Sequence, residues 1–313
     1  MQSKAVKNRG FFGKYGEWYL MLAIPVIGTI IFNIYPLILT FIDSFHNTGG
    51  TYIGLTNYKI LWTDSLWSEA LVNTLYMGVL GVGFSIPLGF LMAYMMNRVP
   101  LFNNLFKTIY LFPMIVSIVA VSMVFKFIFN ADPNSVVNFV LAKLGIPAQG
   151  WFASTAQARE TVIVMTLWKN VGHTTILFFA GLQTVPTELL EAGDIDGANE
   201  WHKLWNIVVP NMKNTLVFVF ITNTIGALKR FADVYAVSSE YAYPGNKLMT
   251  LMLYIYRKSF STLFYKDVGV ASSASFMLFL FIIIITIIQM RVTGEAETLI
   301  GNAPRARRGK KHV

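Results

Sequence analysis

Four carboxylates crowd one short polar run: Glu191, Asp194, Asp196 and Glu200, inside the stretch EAGDIDGANEWHKLWNIVVP from Glu191 to Pro210. Set on short helices at a membrane face, such a group is a docking knob that offers acceptor oxygens to the basic groups of another protein. A second set of polar groups lies within long apolar stretches: Lys169 and Asn170, Asn223 and Thr224, and Lys229, Arg230 and Asp233. An intramembrane charge costs at least about 2.5 kcal/mol unless it snorkels, pairs or faces water. These residues are therefore candidates for lining a polar path, against the alternatives that Lys229 and Arg230 snorkel outward and that Asp233 pairs with Arg230 one turn away. The chemistry of ordinary catalysis is missing. The histidines, His46, His173, His202 and His312, are too scattered for a metal cluster, and His173, the one inside a span, reads as a packing residue. No Gly-x-x-x-x-Gly-Lys-Ser/Thr run exists to cradle a phosphate, and the absence of cysteine removes disulfides and thiolate metal sites.

The elements that must hold these groups are membrane spans. With 55% hydrophobic and 13% charged residues and a mean hydropathy of +0.54, the chain is too apolar for an average soluble protein. About twenty apolar residues cross a bilayer, and six stretches qualify: 19–42, 74–96, 108–128, 161–185, 216–237 and 268–290. The fold class is all-α and polytopic, with a spanning domain over 19–292 between a tail at 1–18 and a basic tail at 293–313. More than half of the 25 lysines and arginines fall on one side of these spans: before the first, between the second and third, in the fourth connection and after the last. By the positive-inside rule both termini and the polar loop are cytoplasmic. The terminal RARRGKKH run reads as an anchor facing lipid headgroups and not as a nucleic-acid contact. The first apolar run is too long for a signal peptide, and no small-x-small site follows it.

Local signals refine this outline. Pro25 and Pro36 predict kinks in the first span, Gly54 and Asn57 a turn, and Asn73 an N-cap for the second span. Gly78, Gly81, Gly83 and Gly89 allow close helix approach. The connection 130–160 holds a turn at Asp132-Pro133-Asn134 and an amphipathic piece over 136–144. In the polar loop, Thr187 is the expected N-cap of a first short helix anchored by Leu189, Leu190 and Ile195. Gly197 is its left-handed end, and Asn199 caps a second helix carrying Trp201, Leu204, Trp205 and Val208 before Pro210.

Glu191-Ala192-Gly193, Asp196-Gly197-Ala198, Trp205, Ile207 and Pro210 together resemble the coupling loop of ABC importer permeases. Gly193 departs from that family's usual alanine and is expected to weaken the helix by about 1 kcal/mol. Gly54-Leu55-Thr56-Asn57-Tyr58, Asn73-Thr74, Leu111-Phe112-Pro113, Leu248-Met249-Thr250 and Gly269 to Ala274 extend the resemblance over 54–292 and toward the sugar-transport group. Tyr243-Pro244-Gly245 stands where that group has Gly-Gly-Pro. What the resemblance implies is a permease subunit of the prokaryotic cytoplasmic membrane with no metal or cofactor of its own. Its implied partners are a second, similar permease, two ATPase subunits holding ATP and Mg, an external solute-binding protein and membrane lipid. Glu191, Ala192, Gly193, Asp196, Gly197, Ala198, Trp205 and Pro210 would couple to the ATPase. Lys169, Asn170, Asn223, Lys229, Arg230 and Asp233 are the path candidates, with Asn223 and Thr224 able to bond sugar hydroxyls or a neighbouring helix. The alternatives are an ion-coupled secondary transporter, the same importer fold with a non-sugar solute, and a membrane enzyme, for which no convergent catalytic set exists.

Overall fold

The structure is a computed structural model that describes residues 11–98, 108, 109 and 112–294; most of both expected tails, and part of the expected third span with Leu111 of its motif, lie outside the described residues. Backbone in lipid has no water to bond and must satisfy its own amides. Among the described residues every named element is accordingly helical, and one isolated bridge joins His46 to Tyr52. Short 3-10 turns at Trp151–Ala153 and Ser239–Tyr241 aside, these are in order α1 (Phe11–Thr29), a π turn (Ile30–Ile34), α2 (Tyr35–Asp43), α3 (Thr56–Thr63), α4 (Ser65–Arg98), α5 (Ile118–Ile128), α6 (Val136–Lys143) and α7 (Ala158–Leu182). There follow α8 (Thr187–Ile195), α9 (Glu200–Lys203), a π turn (Leu204–Val208), α10 (Val209–Asn211), α11 (Lys213–Leu228), α12 (Ala232–Ser238), α13 (Leu251–Phe260) and α14 (Val268–Thr293).

Among the described residues five helical stretches are long and apolar enough to cross a membrane: Trp18–Asp43, Ser65–Asn97, Ala158–Leu182, Lys213–Tyr241 and Val268–Thr293. The expected third span is not a continuous helix. Residues 112–115 are helical, Ser117 turns extended at φ −56° and ψ 137°, and α5 has only 11 residues. At 1.5 Å per residue α5 covers about 16 Å of a hydrocarbon core about 30 Å thick. The fifth span is also interrupted, since α11 ends at Leu228 and α12 begins at Ala232. The expected kink in the first span is the π turn, with Thr29 and Thr40 hydroxyls donating to the carbonyls of Pro25 and Pro36.

The second helix starts earlier than its sequence signal. Asn73 does not cap it but lies within α4, where its amide donates to the carbonyls of Asn246 and Met249 at 2.9 and 3.1 Å. Beside it the Thr74 hydroxyl accepts the Leu251 amide at 2.9 Å. These bonds fasten the start of α13 to α4, and Thr250 caps α13 by accepting from the Leu253 amide. Tyr254, fully buried under Trp67, donates to Asp64 at 2.7 Å. Burial and then that bond push its hydroxyl pKa up, which keeps it a donor. Asn57 joins the end of the first span to α3 through the carbonyls of Ser44 and His46, after a positive-φ turn at Gly54.

Two apolar cores stack along the bundle. One, built on Leu61, Trp67, Met77, Met165, Leu248 and Leu251, packs α4, α7 and α13; the other, built on Met96, Phe178, Leu182 and Met212, lies at the end carrying residues 183–212. Small residues bring α4 against α7: a Cβ on Gly89 would stand 2.7 Å from Thr174. Gly83 makes no such approach, having nothing within 4 Å. Gly269, at the start of α14, is the tightest point, because a Cβ there would strike the His46 carbonyl and come within 2.7 Å of the Asn57 amide nitrogen. Gly269→Ala should cost about 1–3 kcal/mol through overpacking against backbone that cannot retreat; a lowered unfolding midpoint of the detergent-purified protein is the expected result.

Candidate functional site

The polar loop is a compact two-helix hairpin. Pro186, not Thr187, occupies the N-cap of α8, and Thr187 makes no side-chain cap because it already lies in the first turn. The helix ends as expected at Gly197, with φ +73°. The Ala198 amide donates to the Gly193 carbonyl and the Gly197 amide to that of Asp194, a pair of bonds that closes the last turn and reverses the chain. Asn199 accepts the His202 amide at 2.8 Å and starts α9.

Gly193 occupies a close approach within this hairpin. It is buried where the two arms cross, and a Cβ would sit 3.0 Å from Ile207 Cδ1 and 3.4 Å from Lys203 Cγ. Lys203, itself buried, reaches across to Asp194 at 2.6 Å and back to Glu200 at 2.7 Å. Two of the four carboxylates therefore hold the loop together, while Glu191 and Asp196 stand exposed with no ion-pair partner among the described residues. Ile195 is not an anchor: it is 87% exposed, and Trp201 and Trp205, whose rings meet edge to face at 5.5 Å, are exposed as well. Ala192 is exposed, Ala198 half-buried, and Pro210 sits in α10 at the start of the return into the bundle.

The second site is a polar cavity of about 570 Å³ between α4, α7, the α11–α12 break and the break before α5. All six path candidates line it: Lys169, Asn170, Asn223, Lys229, Arg230 and Asp233. The Arg230–Asp233 pair forms at 3.1 Å with both side chains nearly buried, and Arg230 also donates to Thr166 Oγ1 at 3.4 Å. Asp233 lies in the first turn of α12, where the helix dipole favours a carboxylate, and accepts the Val234 amide. Lys229 is exposed beside them. Lys169 spends its three protons on the carbonyls of Pro113, Met114 and Val116, at 3.4, 3.0 and 2.8 Å. Asn223 faces the cavity and takes a long 3.5 Å bond from Thr174 while donating to Val219.

Thr224 does not join them. It points into an apolar groove between α4, α11 and α14, donating to the Phe220 carbonyl and accepting from Gln289. His173, read from sequence as a packing residue, is exposed on the cavity wall. Ser85, Thr166, Thr174 and Thr222 also line it and were not among the candidates. The missed signal was a stripe: Thr166, Lys169, Asn170, His173 and Thr174 recur at helical spacing along one face of an apolar helix. Among the described residues no group of three or more metal-ligating side chains assembles.

Residues 85–293 match the family described as "Binding-protein-dependent transport system inner membrane component". The arabinooligosaccharides transport system permease protein AraP of Bacillus subtilis is 31% identical over 288 residues, 91% of this chain and 90% of that one. The lactose transport system permease protein LacF of Rhizobium radiobacter is 31% identical over 87% of this chain and 92% of its own length. In fold, the bacterial alginate ABC transporter solved in complex with alginate pentasaccharide-bound periplasmic protein contains a chain that superposes with a TM-score of 0.78 at 23% identity, covering 90% of this chain and 96% of that one.

Lys203→Ala should release both arms of the hairpin. The carboxylates it binds are more than half exposed, so the loss is about 1 kcal/mol, or a five- to tenfold rise in the open population. Limited proteolysis between 195 and 200 should speed up by that factor with the spans left intact.

Proposed function

This chain belongs to the family of binding-protein-dependent transport system inner membrane components, and from that premise we propose that it is the translocating permease subunit of an ABC importer for a sugar or related solute. The relatives named for arabinooligosaccharide and lactose transport support the solute class. In this reading the chain sits in a prokaryotic cytoplasmic membrane with both termini and the 187–210 loop inside. It pairs with a second, homologous permease and two ATPase subunits that hold ATP and Mg, and it receives solute from an external binding protein. This chain carries out no hydrolysis.

The observation that carries the proposal is mechanical. The α7 helix forms one wall of the polar cavity and ends at Leu182, and the docking hairpin begins at Thr187. Motion of the hairpin reaches the cavity wall through one rigid helix. Glu191, exposed and without an ion-pair partner among the described residues, is the carboxylate that meets a basic group in the ATPase cleft. Ala192, Gly193, Asp196, Gly197, Ala198, Trp205 and Pro210 shape the hairpin that seats there, and Ile195, Trp201 and Trp205 fill the apolar part of the contact. Asn170, Asn223, Lys229 and the Arg230–Asp233 pair form this subunit's half of the path, with Lys169 in the same wall. An ion-coupled transporter is less well supported, since Asp233, the carboxylate lining the cavity, is already engaged by Arg230.

The test is co-purification of tagged chain from its own host, wild type against Glu191→Ala, with uptake measured in parallel. Wild type should bring down an ATPase and a second permease. The variant should insert normally, lose most of the ATPase and lower ATP-driven uptake at least tenfold. Recovery of the wild-type chain alone would end the importer reading, and full uptake by the variant would end the role given to Glu191.

A further inference from the structure

Both breaks that flank the cavity are held by one face of one helix. The third-span break leaves the carbonyls of Pro113, Met114 and Val116 without helical partners, because Ser117 departs from helical geometry. Lys169 takes all three. The fifth-span break leaves Arg230 between α11 and α12, and its guanidinium bonds Thr166 Oγ1 on one side and Asp233 on the other. Thr166 and Lys169 are three residues apart on α7 and so lie on the same face.

Granting the importer reading, we propose that Lys169 is a positioning residue that ties the broken third span to α7, so that movement of the docking hairpin is transmitted along α7 to the cavity wall. The residue is not a solute ligand. An ammonium has three protons, and the three carbonyls use them, so none is left for a sugar hydroxyl while the break is closed. The strand of connection is short and continuous: hairpin 187–210, helix α7, the Lys169 ammonium, and then Met114 and Ile118, which themselves line the cavity. Thr166 ties the opposite wall through Arg230, so α7 carries both sides together. Arginine can span carbonyls with its own donors, whereas methionine keeps the length of the stem and offers no donor.

The test uses the assembled complex with its own ATPase subunits, second permease and binding protein, reconstituted in vesicles. Lys169→Met should lower the solute moved per ATP hydrolysed at least tenfold while the half-saturating solute concentration stays within about twofold. Lys169→Arg should restore transport to within about threefold of wild type. The chain has no cysteine, so spin labels at Ile118→Cys and Phe231→Cys report the width of the cavity. Their separation should change between nucleotide-free and ATP-bound complex, and Lys169→Met should abolish most of that change. A raised half-saturating concentration with a normal maximal rate would overturn the proposal, making Lys169 a solute ligand, and so would normal coupling in Lys169→Met. If Lys169→Met fails to assemble, Thr166→Val supplies the decision: with the Arg230 tie removed, an unaltered label response would equally overturn transmission through α7. A wild-type complex without ATP-driven uptake would instead count against the importer reading.

Discussion

A carbonyl or amide left open inside a bilayer cannot turn to water, and this one constraint orders the rest of the molecule. Continuous helices meet it automatically. Wherever the chain breaks a helix at membrane depth, some side chain must close the open ends, and at both breaks a neighbouring element provides it. Lys169 closes the carbonyls before Ser117, and the Thr250 hydroxyl closes the carbonyl of Arg230 at 2.9 Å. The polar groups that look misplaced in an apolar sequence are therefore needed where they are. Their cost in lipid is offset by the backbone groups and ion pair they satisfy.

The same residues create the cavity. Two interrupted helices cannot pack as tightly as two whole ones, and the space between their breaks is lined by whatever closes them. Non-helical backbone at this depth is tolerated only beside protein or a water-filled space. A polar chamber in mid-bundle and discontinuous helices around it are two aspects of one arrangement. The solute path proposed for it would use space that the backbone already required.

The loop shows a parallel economy of parts. Lys203 converts half of a highly acidic run into internal fastening, and the remaining carboxylates, Glu191 and Asp196, are left to face outward. Gly193 illustrates why propensity misleads here. In an isolated helix a glycine weakens the structure, yet at the crossing of two arms the absent methyl leaves the space into which Ile207 and the Lys203 stem pack. Ile195 fails in the opposite sense, an apolar residue at helical spacing that faces away from the bundle.

Composition and apolar run length were enough to make this an all-α membrane protein, since the thickness of hydrocarbon translates directly into residues per helix. The hairpin was also legible, because Gly197 and Asn199 act through local backbone geometry that neighbours in sequence decide. The Arg230–Asp233 pair was legible for the same reason, one turn apart on one chain. Tertiary structure alone decided what depends on distant partners: that Asn73 clamps α13 instead of capping α4, that Thr224 turns from the cavity while His173 faces it, and that the third and fifth spans are broken. A broken span reads as apolar as a whole one. Whether it can stay broken is set by a side chain such as Lys169, more than fifty residues along the chain and brought alongside only by the fold.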